Sequence, residues 1–363
     1  MKLGGIVLRK RGVLSGTGNR IDELFNYRIP DRVPLGSLSI GFNAVNAGYS
    51  VREVLEDPEK CFQAAVWTAD LYDWDPLPQY SGHTVWGAID FGGEVRMPVG
   101  PYESSLIVTS HPVRCEGDLS TLKLPDPESA GRIPLAMAFS RLQAENGFPV
   151  FFSSRSPLTM AANICGLENF CRWMIRKPEL CRELMDLALT HILNVLTYWI
   201  DTFGADRIFV WMSNPSESNQ LISPGHMAAF ALPYHLAYHE KLCAMGIKRF
   251  GFHLCGDQNQ NLSHFVDADP WPHPSILSFG HEVPIETAAK YFPKDIILGN
   301  LDPTLLQMET PRRIYEKSCD IITRGKKSPG GFIMAPGCGI PATAPPINVF
   351  AMTRAVYDVG CYS

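Results

Sequence analysis

Eight short apolar runs alternate along this chain with longer segments of helical pattern, at residues 33–39, 71–77, 148–154, 207–212, 249–256, 275–281, 296–302 and 331–335. Runs of that length suit strands buried on both faces. Helices placed between successive strands make those strands parallel. The helix starts share one chemistry, an oxygen-bearing cap residue followed by proline, as in Asp57-Pro58, Ser223-Pro224, Asp302-Pro303 and Thr310-Pro311. The cap side chain accepts an orphan amide of the first turn, and proline there has no amide to lose. Helices are expected over 58–70, 178–203, 224–245, 284–292, 311–323 and 346–359. Eight such units predict an α/β fold of the closed (β/α)8 kind, a TIM barrel. An open doubly wound sheet is the second choice, but no G-x-G-x-x-G follows the first strand.

Residues 79–130 break the alternation. The runs 84–90, 94–98 and 105–109 read as hairpins, with Gly92-Gly93 as a turn. This is a β-rich insertion between strands two and three, near the barrel mouth, and too small to bury a core of its own. Residues 1–363 are therefore read as one domain, a monomer or homodimer, and 45% hydrophobic content is enough for a large core. A net charge of −5 without a basic run argues against a nucleic-acid partner. No apolar run is long enough to span a membrane. The apolar stretch 3–8 is too short for a signal peptide and precedes its charges instead of following them. The ten cysteines show no repeated short spacing, and a reducing cytoplasm fits. Cys61, Cys115, Cys165, Cys171, Cys181, Cys243 and Cys319 read as buried small hydrophobes or free thiols, and Cys361 as incidental.

Three residues stand apart. His253 and Cys255 lie two apart in H-L-C-G, so on a strand both side chains point to one face. Cys338 follows another apolar run, in A-P-G-C-G. One imidazole and two thiolates suit zinc, and three protein ligands leave a coordination position open for chemistry. Barrel enzymes work at the C-terminal ends of their strands, where candidate strands five and eight deliver this set. Such a site favours the ionised form of an incoming thiol, and the thiolate is the nucleophile.

The chain resembles the uroporphyrinogen decarboxylase superfamily, and within it the corrinoid-dependent zinc methyltransferases, including methylcobamide:coenzyme M methyltransferases. The resemblance rests on Asp31-Arg32-Val33-Pro34, on Leu124-Pro125-Asp126-Pro127 before Gly131-Arg132, and on Ser156-Pro157-Leu158-Thr159-Met160-Ala161. It continues through Gly204-Ala205-Asp206, Leu221-Ile222-Ser223-Pro224, His253-Leu254-Cys255-Gly256, Gly299-Asn300-Leu301-Asp302-Pro303 and Pro336-Gly337-Cys338-Gly339. It implies zinc on His253, Cys255 and Cys338, and transfer of a methyl group between a cobalt corrinoid and a thiol or other small methyl carrier. No D-x-H-x-x-G corrinoid signature occurs, so the corrinoid is expected as a co-substrate on a partner protein or as the free cofactor. The opposite direction, from a methylated donor onto the corrinoid protein, is an alternative. A tetrapyrrole decarboxylase is a further alternative, but the family's arginine-rich M-R-Q-A-G-R has no counterpart here, since 33–49 contains no arginine.

No catalytic residue is expected beyond the zinc site. Glu282, at the end of candidate strand six, is a candidate fourth ligand that substrate sulfur displaces. Neighbouring His281 is a candidate wall residue, and Asp257 and Asn300 are candidates to orient a ligand or substrate group. Trp211, Met212 and the loop 214–218, with Asn214 and Ser218, are expected to line the cleft. The family often carries aspartate where Asn214 stands.

Overall fold

This computed structural model describes residues 2–3, 6–7, 20–37, 39–75, 78–80, 85–100, 102–267 and 271–362. Two short antiparallel pairs come first, β1 (Lys2–Leu3) with β2 (Ile6–Val7), and β3 (Glu94–Arg96) with β4 (Ile107–Ser110). A six-stranded sheet follows, in the order β10-β9-β8-β7-β6-β5, with every pairing parallel. Its strands are β5 (Val150–Arg155), β6 (Ile208–Ser213), β7 (Arg249–Leu254), β8 (Ile276–Phe279), β9 (Ile296–Leu301) and β10 (Phe332–Pro336). Each falls within about two residues of a run read from sequence.

Alternation along the strands divides the core. Val210, Phe250, Phe252, Leu277, Phe279 and Ile297 face the helices and belong to one core with Leu184, Ala188 and Ile192 of the helix Pro178–Phe203. Phe151, Phe209, Trp211, Ile276, Leu298 and Ile333 form a separate cluster on the opposite, inner face. The helix Arg20–Phe25 covers that cluster at the N-terminal end of the strands. There Phe25 lies edge-on to Phe209, and Arg249, the first residue of β7, sits over the Phe25 ring.

The proline-started helices form as expected. Asp57 accepts from Glu59 and Lys60, Ser223 from His226, Asp302 from Thr304 and Thr310 from Arg313. Helix Pro157–Cys165 follows the same rule, with Ser156 accepting the Thr159 amide at 3.2 Å. Residues 224–244 are helical with a π-helical segment at Met227–Ala231. No described helix is long and apolar enough to cross a membrane.

The first two expected strands come out differently. The run 33–39 makes a single parallel bridge, Leu35 with Met334, held by Gly36 N to Met334 O at 2.7 Å and Met334 N to Pro34 O at 2.9 Å. The run 71–77 is not a strand. Leu71 and Tyr72 end the helix Pro58–Tyr72, because Tyr72 continues its buried face and stacks on Trp74, and Asp73 terminates it in the left-handed region. Asp75 then clamps Leu35, accepting its amide at 2.8 Å and donating its own to the Leu35 carbonyl at 2.8 Å; Pro76 and Leu77 lie outside the described residues. At the other edge the buried Gln143 spans the gap, donating to Pro78 O at 2.7 Å and accepting from Phe151 N at 3.1 Å.

In the segment 79–130, Val95 pairs with Val108 and Arg96 with Ile107. Residues 85–91 fold as turns instead of a strand, with Gly93 N closing onto Ala88 O at 2.7 Å, and Thr84 lies outside the described residues. None of the ten cysteines forms a disulfide; Cys61, Cys165 and Cys181 are buried, whereas Cys115 and Cys243 are exposed.

Candidate metal centre

The C-terminal ends of β7 and β10 bring His253, Cys255 and Cys338 together. Their ligand atoms all lie within 4.8 Å of one another, and no other such group occurs among the described residues. His253 is the last inward residue of β7, and Cys255 sits one residue past the strand end. Cys338 follows β10 on the turn that begins with Gly337. A Cβ at Gly337 would stand 2.8 Å from His281 N, and one at Gly280 would stand 2.9 Å from Gly256 O. Three ligand-bearing or flanking loops therefore touch backbone to backbone, which only glycine permits at both places.

The donor set suits a soft divalent cation. His253 Nδ1 lies 3.0 Å from Ser278 Oγ, whereas Nε2 is buried and has no hydrogen-bond partner. A buried imidazole nitrogen without a partner is costly, and a metal satisfies it. The two sulfurs act on each other in opposite directions. Cys338 is driven well below the usual thiol range, first by the hydrogen bond from Cys255 and then by His253. Cys255 is correspondingly driven up, by that bond to the charged Cys338 and by burial.

A buried polar scaffold stands behind Cys255. Asn214 Oδ1 accepts the Cys255 amide at 3.3 Å, and Asn214 Nδ2 donates to Glu217 Oε2 at 2.8 Å. The same Glu217 oxygen is 2.7 Å from His235 Nε2, with both side chains almost fully buried. Gln258 donates to the Cys255 carbonyl at 2.9 Å. Asn214 therefore positions a candidate ligand instead of facing the cleft. Ser218 packs against Gly256, where an added Cβ would come within 3.1 Å of it.

The other candidates are placed as follows. Glu282 lies outside the three-residue group, though its charge acts on Cys255. His281 is half exposed between Glu282 and Asp302, at 3.5 and 3.8 Å. Asn300 donates to Gly280 O at 3.1 Å and Val283 O at 2.6 Å, so it fixes the loop carrying His281 and Glu282. Asp257 spends its carboxylate on Asn259, accepting its amide at 2.9 Å and its side chain at 2.8 Å. Trp211 faces inward below His253, but Met212 is buried on the helix side and lines nothing.

Sequence reasoning missed Arg155. It ends β5 in the same row as Ser213, His253 and Ser278. Its Nη1 donates to Ser213 Oγ at 2.5 Å. Burial lowers it from its usual 12.5 to about 10, against the opposing pull of Cys255 and Cys338. The available clue was a charge directly after the apolar run 148–154.

A parallel α/β sheet carries a histidine–dicysteine cluster at the C-terminal ends of its strands, a donor set that suits a soft divalent cation. This chain belongs to the uroporphyrinogen decarboxylase family: "Uroporphyrinogen decarboxylase (URO-D)" matches residues 19–359. A methylated-thiol–coenzyme M methyltransferase of Methanosarcina mazei is 27% identical over 234 residues, 63% of this chain and 59% of that relative, so the match spans less than two thirds of its length. A methylcobamide:CoM methyltransferase of Methanosarcina acetivorans is 25% identical over 289 residues, 76% of this chain and 81% of the relative. A solved methyltransferase from Methanosarcina mazei shares the fold, with a TM-score of 0.77 at 21% identity over 93% of this chain and 97% of its own. These relatives bear out the methyltransferase branch of the resemblance; relatives named uroporphyrinogen decarboxylase match as well.

Proposed function

We propose that this chain is a zinc-dependent methyltransferase that moves a methyl group between a cobalt corrinoid and a small thiol, working as one closed (β/α)8 barrel domain. The observation that carries the reading is the convergence of His253, Cys255 and Cys338 within 4.8 Å, with His253 Nε2 buried and unpartnered. Zinc held by these three residues would supply a Lewis acid that keeps a substrate thiol ionised near neutral pH. The chain's own part is to orient the donors. Ser278 fixes the His253 ring, Asn214 and Gln258 fix the Cys255 backbone, and Asn300 fixes the loop of Glu282. Glu282 is proposed as a displaceable fourth ligand. The acceptor sulfur takes the methyl carbon as its bond to cobalt breaks, and that electron pair stays with cobalt, which falls from Co(III) to Co(I). The corrinoid is proposed to arrive on a partner protein. The names of the relatives support this chemistry. The decarboxylase alternative is disfavoured because Arg32, of the D-R-V-P segment, is buried and engaged by Asp73 at 2.9 Å.

The test is metal analysis joined to turnover. The purified protein is expected to hold one zinc per chain, and Cys255→Ala to lose it while staying folded. With methylcobalamin and a thiol panel, optical loss of the methylcobalt band is expected for wild type only. Full zinc retention by Cys255→Ala overturns the ligand set. Methylation of cob(I)alamin by a methylated donor, with no thiol-dependent demethylation, reverses the direction.

A further inference from the structure

The inner face of the sheet is not filled beneath the candidate metal centre. The inward row below His253 reads Ser153, Trp211, Gly251 and Ile276, one residue from each of four adjacent strands. In parallel α/β barrels such rows are normally closed by bulky branched side chains. Here two of the four are serine and glycine, and the Trp211 ring lies over Gly251, where an added Cβ would collide with it. The consequence shows in the burial. Phe151, Phe209, Trp211, Ile276 and Leu298 each keep 5–8% of their surface, whereas Val210, Phe250, Phe252 and Leu277 on the helix side keep 0%. The space the inner residues leave amounts to about 730 Å³, part of it open to solvent. Its lining runs from Pro336, two residues before Cys338, to Pro149 and Arg249, which lie at the N-terminal ends of β5 and β7.

The lining has two unlike walls. On one side Phe151, Phe209 and Trp211 stand with ring centroids 5.4–6.2 Å apart and planes tilted by 31–36°. The other wall is aliphatic, with Ile276, Leu298 and Ile333 from β8, β9 and β10. A slot between an aromatic and an aliphatic wall fits a flat ring and takes its apolar surface out of water. The two charged residues of the described lining are already answered, Asp75 by Arg20 at 2.8 Å and Arg249 by Asp22 at 2.6 Å. An ionic ligand would enter without a counter-charge, so the space selects against one. One polar atom is unspent: the Ser37 hydroxyl, also in the lining, is buried and makes no hydrogen bond among the described residues. We propose that this cavity is a second ligand site, separate from the metal centre, for a small neutral aromatic molecule bearing one hydroxyl or N–H group. The ring fills the volume that Ser153 and Gly251 leave, its polar group meets Ser37, and the site needs no metal.

The experiment is fluorine NMR of protein labelled with 5-fluorotryptophan and titrated with phenol, indole, benzene and benzoate. Trp211→Phe assigns the Trp211 resonance among the seven tryptophans. Phenol or indole is expected to shift that resonance saturably, and benzoate to bind about a hundred-fold more weakly or not at all, for want of a counter-charge. Chelator-treated wild type is expected to bind phenol with unchanged affinity. Leu298→Phe, which fills the slot from its aliphatic wall, is expected to lose binding. Ser37→Ala is expected to weaken phenol about three- to ten-fold and leave benzene unchanged, the range of one hydrogen bond. No saturable shift of the Trp211 resonance with phenol or indole overturns the proposal, whether or not the variants fold. So does benzoate binding as tightly as phenol. Phenol binding that is lost on chelation also overturns it, because the space would then be part of the metal centre.

Discussion

His253 Nδ1 lies 3.0 Å from Ser278 Oγ, one strand over and in the same row of the sheet. With the ring proton on Nδ1, donated to Ser278 Oγ, the Nε2 lone pair is left for a metal. Ser278→Ala is expected to weaken zinc binding about ten- to a hundred-fold. Competition against a chromophoric chelator measures it; unchanged affinity would show that the ring is oriented by packing alone.

Asn214 couples Cys255 to the buried Glu217–His235 pair through both ends of its amide. Asn214→Ala leaves the Cys255 amide and Glu217 each one partner short. A loss of about 1–3 kcal/mol is expected from urea unfolding, together with weaker zinc binding. Asn214→Asp is expected to lose more, because it sets a second carboxylate beside Glu217. Equal stability of wild type and Asn214→Asp would show that one of the two carboxyls is protonated there.

Gln143 stands in for a sheet ladder between Pro78 and the free edge of β5. Gln143→Leu keeps the volume but leaves two buried backbone groups unmet, each of which costs about 1–3 kcal/mol. Urea unfolding is the measurement, with Gln143→Glu as a partner variant that keeps the acceptor and loses the donor. The order of stability is expected to be wild type, then Gln143→Glu, then Gln143→Leu at neutral pH or below. A stable Gln143→Leu would mean that water replaces both bonds.

Glu103 ties the β3–β4 hairpin, accepting from Arg96 Nη1 and Nη2 at 2.8 Å each and from Val99 N at 2.7 Å. Arg96 and the Val99 amide hold its carboxyl down at about 2, from the usual 4.5. A depressed carboxylate stabilises the fold above its unfolded value and loses that contribution as pH falls through the folded one. The difference in thermal midpoint between wild type and Glu103→Gln is therefore expected to be constant above pH 4.5 and to shrink toward pH 2. A difference that persists unchanged at pH 2 would assign the effect to shape instead of charge. Because the ion pair is exposed, the effect is expected to be small.

The parallel strands and the long helices were legible because local pattern governs them. Helix Pro178–Phe203 begins and ends where proline and Gly204 say it must, and β5 to β10 are buried almost throughout because both faces of the sheet are covered. Local pattern failed at 71–77. There Leu71 and Tyr72 are apolar for the sake of a helix face, and a short apolar run does not reveal which element owns it. It failed again at 85–91, where the chain turns. The proposed zinc ligands were legible as residue types with a sensible spacing, and the family motifs gathered them.

What surrounds those ligands was not legible. Arg155, Ser213, His253 and Ser278 are scattered over more than a hundred residues of sequence and become neighbours only when parallel register puts them in one row. The roles of Asn214, Asp257 and Asn300 turned on the same fact, since each is set by the partner within hydrogen-bond reach and not by the residue type. Sequence by itself determined the periodicities, the helix starts and the soft donor set, all of which are properties of near neighbours along the chain. Tertiary structure alone decided which groups meet at the site and which buried polar atoms lack a partner, because those depend on residues brought together from distant strands and on the water excluded from between them.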